Sequence, residues 1–250
     1  MPPKRKIALA KPTKKKTPRP LDDEVESVIA SLKRSATKRT RDGMARYGLP
    51  SDKAFGVSVG DMQKLAKRLG QNHELAAALW DTGWYEARML ACFVDEPACV
   101  TPAQMDRWCR DFDNWGICDT VCFSLFDETP LAWAKARQWA KSPREFVKRA
   151  GFALMACLAG HDKAATDAQF LALLPLIEQG AHDERNFVKK GVSWALRRIG
   201  RRSLALHTAA LAVATRLSQS VEAACRWVGN DAARELASPK VRSRLTRRTR

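Results

Sequence analysis

The sequence predicts an all-α chain whose helices pair and stack into an α-α superhelix. Three observations carry this. The body reads as helix throughout, with no run of alternating β-branched residues bounded by hairpin turns. Boxes in which a hydroxyl is followed three residues later by a carboxyl or amide, the pair that satisfies the free amides of a first helical turn, recur as Thr101-Pro-Ala-Gln104, Ser142-Pro-Arg-Glu145 and Thr166-Asp-Ala-Gln169. Finally, Phe146-Val-Lys-Arg149 returns as Phe187-Val-Lys-Lys190, 41 residues on, each leading into a glycine and a helical apolar face.

In chain order, helices are expected near 22–41, 58–69, 72–81 and 84–95. The last opens on Tyr85-Glu-Ala-Arg88, and its Met89-Leu-Ala-Cys92 is echoed by Leu154-Met-Ala-Cys157. A helix over 102–112 begins at Pro102 behind the Thr101 box, proline being favoured at a first helical position. Helices over 115–127 and 130–141 follow, then 143–159 behind the Ser142 box and 167–179 behind the Thr166 box. Three more cover 184–200, 202–217 and 219–236. An offset near 40 residues is the helix-pair repeat of HEAT and armadillo solenoids, so the architecture expected is a HEAT-like, armadillo-type superhelix with a concave face.

The chain has 250 residues, 45% of them hydrophobic, ample for a sizeable core. Mean hydropathy is −0.37, and the longest uncharged stretches run about a dozen residues where a spanning helix needs roughly 20, which excludes an integral membrane protein. The first twenty residues contain no secretory apolar region, so the protein is expected to stay where it is made, in a bacterial cytoplasm. Seven scattered cysteines argue against a disulfide framework and read as small core residues. Four isolated histidines, and no second Cys pair beside Cys118 and Cys122, leave no metal and no cofactor expected.

Charge divides the chain into a basic tail over 1–20, expected to be disordered, a body over 21–236, and a basic C-terminal tail over 237–250. The two ends hold fourteen of the 44 Lys and Arg and no acid, so the body is nearly neutral. Such arms track polyanions, each cation releasing a counterion from a phosphate, and nucleic acid is the leading partner.

Three constellations stand out as candidate chemistry. In Trp115–Phe126 the only charge is Asp119, a carboxylate in apolar company that is costly unless partnered or used. Trp115 lies four residues before it, on the same helical face. The alternative is that Asp119 caps a helix starting at Thr120, with Trp115 in the core. Second, positions 187, 190, 194, 197 and 201 form one helical stripe mixing Phe187 and Trp194 with Lys190, Arg197 and Arg201, beside Arg198. This suits sugar and phosphate, but an ordinary helix would bury its aromatics and solvate its arginines. Third, Lys148 and Arg149 sit near a helix start, where the dipole disfavours cations, so an anionic partner is expected for Arg149, phosphate or carboxylate.

The order Trp-x-x-x-Asp (115, 119), Phe-x-x-Arg (146, 149), Lys-x-x-x-Trp-x-x-Arg (190, 194, 197) resembles the DNA alkylation repair family of AlkD-like alkylpurine DNA glycosylases. Met44-Ala-Arg-Tyr-Gly-Leu-Pro50, Phe55-Gly-Val and Leu65-Ala-Lys are also similar to that family's N-terminal helices, so the resemblance spans about 25–235. It implies a concave DNA-binding face and hydrolysis of the N-glycosidic bond of cationic purines such as N3-methyladenine and N7-methylguanine in double-stranded DNA. Asp119 would be the catalytic carboxylate, Trp115 and Trp194 aromatic walls, and Arg149 a backbone contact. Lys190, Arg197, Lys148, Arg198 and Arg201 would be further DNA contacts. A monomer leaving an abasic site is expected; the alternative is a non-catalytic helical-repeat scaffold that binds nucleic acid. A karyopherin-like peptide binder expects an acidic groove, against which the basic stripe argues.

Overall fold

The structure, a computed structural model, describes residues 20–248; the N-terminal basic tail lies outside the described residues save Pro20. Among the described residues there are fifteen α-helices, two 3₁₀ turns and no strand. The helices are α1 (Leu21–Arg34), α2 (Lys38–Met44), α3 (Val59–Leu69), α4 (His73–Asp81), α5 (Tyr85–Val94), α6 (Pro102–Arg110), α7 (Trp115–Ser124) and α8 (Ala132–Trp139). They continue as α9 (Glu145–His161), α10 (Asp167–Leu171), α11 (Leu174–Gly180), α12 (Asn186–Ile199), α13 (Leu204–Ser218), α14 (Ala223–Leu236) and α15 (Pro239–Arg248). The 3₁₀ turns are Ala45–Tyr47 and Phe126–Glu128.

Helices α5, α7, α9, α12 and α14 each pack on the next and make one layer. Against it lie α4 on α5, α6 and α8 on α9, α11 on α12, and α13 on α14. This is the helix-pair stacking expected of a HEAT-like repeat, and the buried side chains join into one continuous core. Six of the seven cysteines are buried in or beside it, as small core residues. No described helix is long and apolar enough to cross a membrane.

The chain departs from the expected helices where local chemistry interrupts them. The helix expected over 22–41 breaks, because the Thr37 hydroxyl accepts the Thr40 amide at 3.2 Å and caps a new helix, α2. The one expected over 167–179 splits into α10 and α11, with Pro175 in the first turn of the second. Thr101 and Thr166 cap as expected, Thr101 Oγ1 accepting the Gln104 amide at 3.1 Å. The Ser142 box does not form. The Ser142 hydroxyl accepts the Arg144 amide two residues on, and α9 starts two residues later than expected, at Glu145. Most of the segment assigned to a C-terminal tail is helical, α15 burying Val241 and Leu245.

Two features fix the neighbourhood of the site. A Cβ on Gly151 would run into the Ala140 backbone, so glycine sets the close approach of α9 to the end of α8. Glu86, fully buried on α5, accepts the amides of Phe55, Gly56 and Val57 at 2.9, 2.7 and 3.2 Å, pinning the loop that leads from the Ala45–Tyr47 turn to α3.

Candidate active site

Asn114, not Asp119, caps the helix that carries the first motif: its side-chain oxygen accepts the Ile117 amide at 2.9 Å. Trp115 is therefore the first residue of α7 and Asp119 the fifth. In the same register, Arg149 is the fifth residue of α9 and Lys190 the fifth of α12. Stacking three successive repeats thus brings Asp119, Arg149 and Lys190 to one edge of the layer, and Phe146 and Phe187, second residues of their helices, to 5.3 Å between ring centroids.

Asp119 and Arg149 meet in a fork. Arg149 Nε donates to Oδ1 at 2.8 Å, Nη2 to Oδ2 at 2.7 Å, and Nη1 to the Phe187 carbonyl at 2.6 Å. The anionic partner expected for Arg149 is thus a protein carboxylate. Burial pushes the Asp119 carboxyl above its ordinary pKa, and Arg149 opposes the push. Burial likewise works against the charged guanidinium, but Asp119 overcomes it and holds the Arg149 pKa above its usual value. The Asp119 side chain keeps 20% exposure, against 7% for Arg149, so the carboxylate edge remains open to the outside.

That opening is a pocket of about 550 Å³ lined by Tyr47, Trp115, Asp119, Arg149, Phe187 and Lys190, with Arg46, Gly48 and Asn186 completing the rim. The Trp115 indole N–H donates to the Tyr47 carbonyl at 2.7 Å, tying α7 to the turn 68 residues earlier. Gly48, at φ +66°, ends that turn, with the Phe187 ring 3.7 Å from where a Cβ would stand. Lys190 is exposed and has no hydrogen-bond or ion-pair partner among the described residues.

Of the expected set, the structure brings together Trp115, Asp119, Arg149 and Lys190. Trp194 is not among the residues lining this pocket; it is half-buried against the core. Tyr47 and Phe187 supply the further aromatic surface instead. Lys148 donates to Asp183 at 2.9 Å, and Arg185 grips the same carboxylate, holding the Asp183 pKa far below the usual range. Arg197 pairs with Glu235 at 2.5 Å and Asp231 at 3.5 Å, and Arg201 pairs with Glu235 at 3.1 Å. Arg198 lies over the end of α9, its Nε on the Ala156 carbonyl at 3.4 Å. The arginines of this stripe and its neighbour Arg198, expected to meet phosphate, therefore meet carboxylates and backbone of neighbouring repeats, whereas Lys190 does not.

Sequence reasoning did not assign Tyr47 or Arg46 to the site. Both lie in the Met44–Pro50 segment already noted, but no spacing rule places that turn over Trp115.

The pattern of the DNA alkylation repair enzymes matches residues 28–236, most of the chain. The chain belongs to that family. Similarity to curated proteins is remote: it is 24% identical over 134 residues to the uncharacterized protein Lin0241 of Listeria innocua, and 23% identical over 134 residues to Lmo0209 of Listeria monocytogenes. Each match covers 52% of this chain and 58% of the relative, so the chain spans little more than half the length of these curated relatives. A solved structure described as "a new family of proteins related to the HEAT-like repeat DNA glycosylases with affinity for branched DNA structures" superimposes with a TM-score of 0.73 at 22% identity, over 88% of this chain and 95% of that one. The family member described here thus has the HEAT-like helical-repeat fold.

Proposed function

We propose that the protein is a monofunctional DNA glycosylase that releases cationic alkylated purines, N3-methyladenine and N7-methylguanine, from double-stranded DNA. The observation that carries this reading is Asp119, oriented by the Arg149 fork at the wall of an aromatic pocket.

The chemistry follows from the charges. An alkylated purine already bears a positive charge, so breaking its bond to C1′ sends the bonding pair to the purine nitrogen and a neutral base departs without a general acid. The sugar left behind is oxocarbenium-like, and a water oxygen forms the new bond to C1′ as its proton passes to the Asp119 carboxylate and from there to solvent. A carboxylate accepts through about four lone-pair sites, of which Arg149 occupies two. The rest can face the cationic sugar and hold the water. Burial, which disfavours ionised Asp119, also strengthens its attraction to any cation that enters. The aromatic faces of Trp115, Tyr47 and Phe187 add a cation preference of about 0.5–2 kcal/mol each where they meet the base.

The test is quantification of free purines by mass spectrometry after incubation with methylated duplex DNA. Wild type is expected to release them and Asp119→Asn to release none while keeping its DNA affinity; equal release by both would remove Asp119 from the mechanism. A second reading, a non-catalytic scaffold for nucleic acid, is favoured by the position of Trp194 outside the pocket and by the branched-DNA affinity ascribed to the structural neighbour. No release by wild type, with DNA binding intact, would select it.

A further inference from the structure

We propose that α2 and the 3₁₀ turn after it form a phosphate-binding strip that leads the duplex to the Asp119 pocket, and that the arginines of α12 do not. The inference rests on the proposed reading that the pocket receives a nucleotide of double-stranded DNA.

The observation is a contrast between two basic segments. Residues 33–46 contain Lys33, Arg34, Lys38, Arg39, Arg41 and Arg46 against one acid, Asp42. All six cations are exposed, and none has an ion pair among the described residues. Arg34 reaches only the Ser31 hydroxyl, and Lys33 sits 5.9 Å over the Phe55 ring. The α12 segment is as basic in sequence, but Arg197 and Arg201 are bound to Glu235 and Asp231, and Arg198 is folded onto α9.

Affinity for DNA comes largely from the counterions that a cation displaces when it neutralises a phosphate. An arginine already neutralised by a carboxylate displaces none until that ion pair is broken, and the carboxylate left behind repels the same phosphate. The α2 cations carry neither penalty. Their geometry also fits. Seven residues of helix span about 10 Å, the axial length of about three phosphates along one strand. The cluster ends at Arg46 on the rim of the pocket, and the Trp115 bond to the Tyr47 carbonyl holds that end in place. Exposed Lys190 stands among the pocket's other lining residues, so the strand would be met by free cations from two repeats. Met44, the buried residue of α2, points inward and leaves Lys38, Arg39 and Arg41 to solvent.

The experiment measures binding of the full chain to a short undamaged duplex by fluorescence anisotropy over about 50 to 300 mM KCl. The triple variant Lys38→Gln/Arg39→Gln/Arg41→Gln is expected to lower the slope of log affinity against log salt by about 2.7, at roughly 0.9 per phosphate contact. Arg46→Gln alone should lower it by about 0.9, and Arg197→Gln/Arg201→Gln should leave it unchanged. Circular dichroism and urea midpoints confirm that each variant is folded, and the single Arg46→Gln substitution keeps the test alive if the triple variant is not. An unchanged slope in the α2 and Arg46 variants, a loss of slope in the α12 variant, or no binding by wild type overturns the proposal. Purine release from methylated duplex is scored separately, so failure of the strip with release intact is distinguishable from failure of the glycosylase reading.

Discussion

Replacing Arg149 by Ala isolates the Asp119 carboxylate, and its cost can be worked from the contacts. The substitution removes two charge-assisted bonds to Asp119 and one to the Phe187 carbonyl, which together couple α7, α9 and α12. Breaking a buried pair by deleting one partner costs about 3–5 kcal/mol, chiefly because the other charge is left without compensation. At roughly 2–4 °C per kcal/mol for a chain of this size, the melting temperature should fall by about 6–20 °C. The loss should also depend on pH. Burial raises Asp119 in the folded state, so its ionisation costs the fold more as pH rises above the unfolded carboxyl value of about 3.9. Arg149 relieves that cost; without it, the folded carboxyl shifts further up and the penalty continues to grow over a wider pH range. Urea unfolding of wild type and variant at about pH 5 and about pH 7.5 should therefore show the larger difference at the higher pH. In an Asp119→Asn background the same substitution should cost only about 1–2 kcal/mol, the loss of the Phe187 contact and some packing. An effect that is independent of pH, or undiminished in the Asp119→Asn background, would refute the view that the guanidinium serves the carboxylate.

Other perturbations test the frame around the site. Glu86→Ala strands three backbone amides in the interior and should cost at least about 3 kcal/mol in urea unfolding, at 1–3 kcal/mol for each unsatisfied donor; a cost under about 1 kcal/mol would mean that the 55–57 loop is held by something else. Asp183, held far below the usual carboxyl range by Arg185 and Lys148, contributes stability that is present above about pH 4 and lost as pH falls toward its folded value. Asp183→Asn should therefore flatten the acid limb of the stability curve, and an unchanged limb would show that the cluster is not coupled to folding. Gly151→Ala drives a methyl into the Ala140 backbone and should lower the urea midpoint by about 1–3 kcal/mol equivalent; a neutral result would mean that α8 yields at no cost.

What was legible in the sequence was whatever depends on residues near one another in the chain. Helical content, the Thr101 and Thr166 caps, the 41-residue offset and the register that aligns Arg149 with Lys190 are all local patterns, and they reappear in the structure. Errors arose where two local signals competed. Thr37 and Pro175 restart helices that hydrophobic spacing alone would carry through, and Asn114 takes the capping role that an isolated Asp119 invites. Which residues partner these cations was not legible, beyond the expectation of an anion for Arg149. Glu235 lies 38 residues beyond Arg197, and Asp183 lies 35 beyond Lys148, so their opposition is created by stacking one repeat on the next. A basic stripe read from one helix says where cations are, but not whether they are free.

The same reasoning explains why the Asp119 pair differs from the other ion pairs between repeats. Lys148–Asp183 and Arg197–Glu235 join cations to acids away from the pocket, whereas Arg149–Asp119 lies at a pocket wall, with the cation buried deeper than the anion. A pair built only to hold two helices would gain nothing from leaving the carboxylate edge open, because water there weakens the attraction. Asp119 is the one carboxylate among the residues lining the pocket, held in place by the Arg149 fork, and the aromatic walls beside it favour a cationic guest. The strip of free cations leads up to this edge and stops at Arg46. On the proposed reading, phosphate attraction and cation selection would be divided between these two neighbouring surfaces, the arrangement that binding a polyanion while releasing a positively charged base requires.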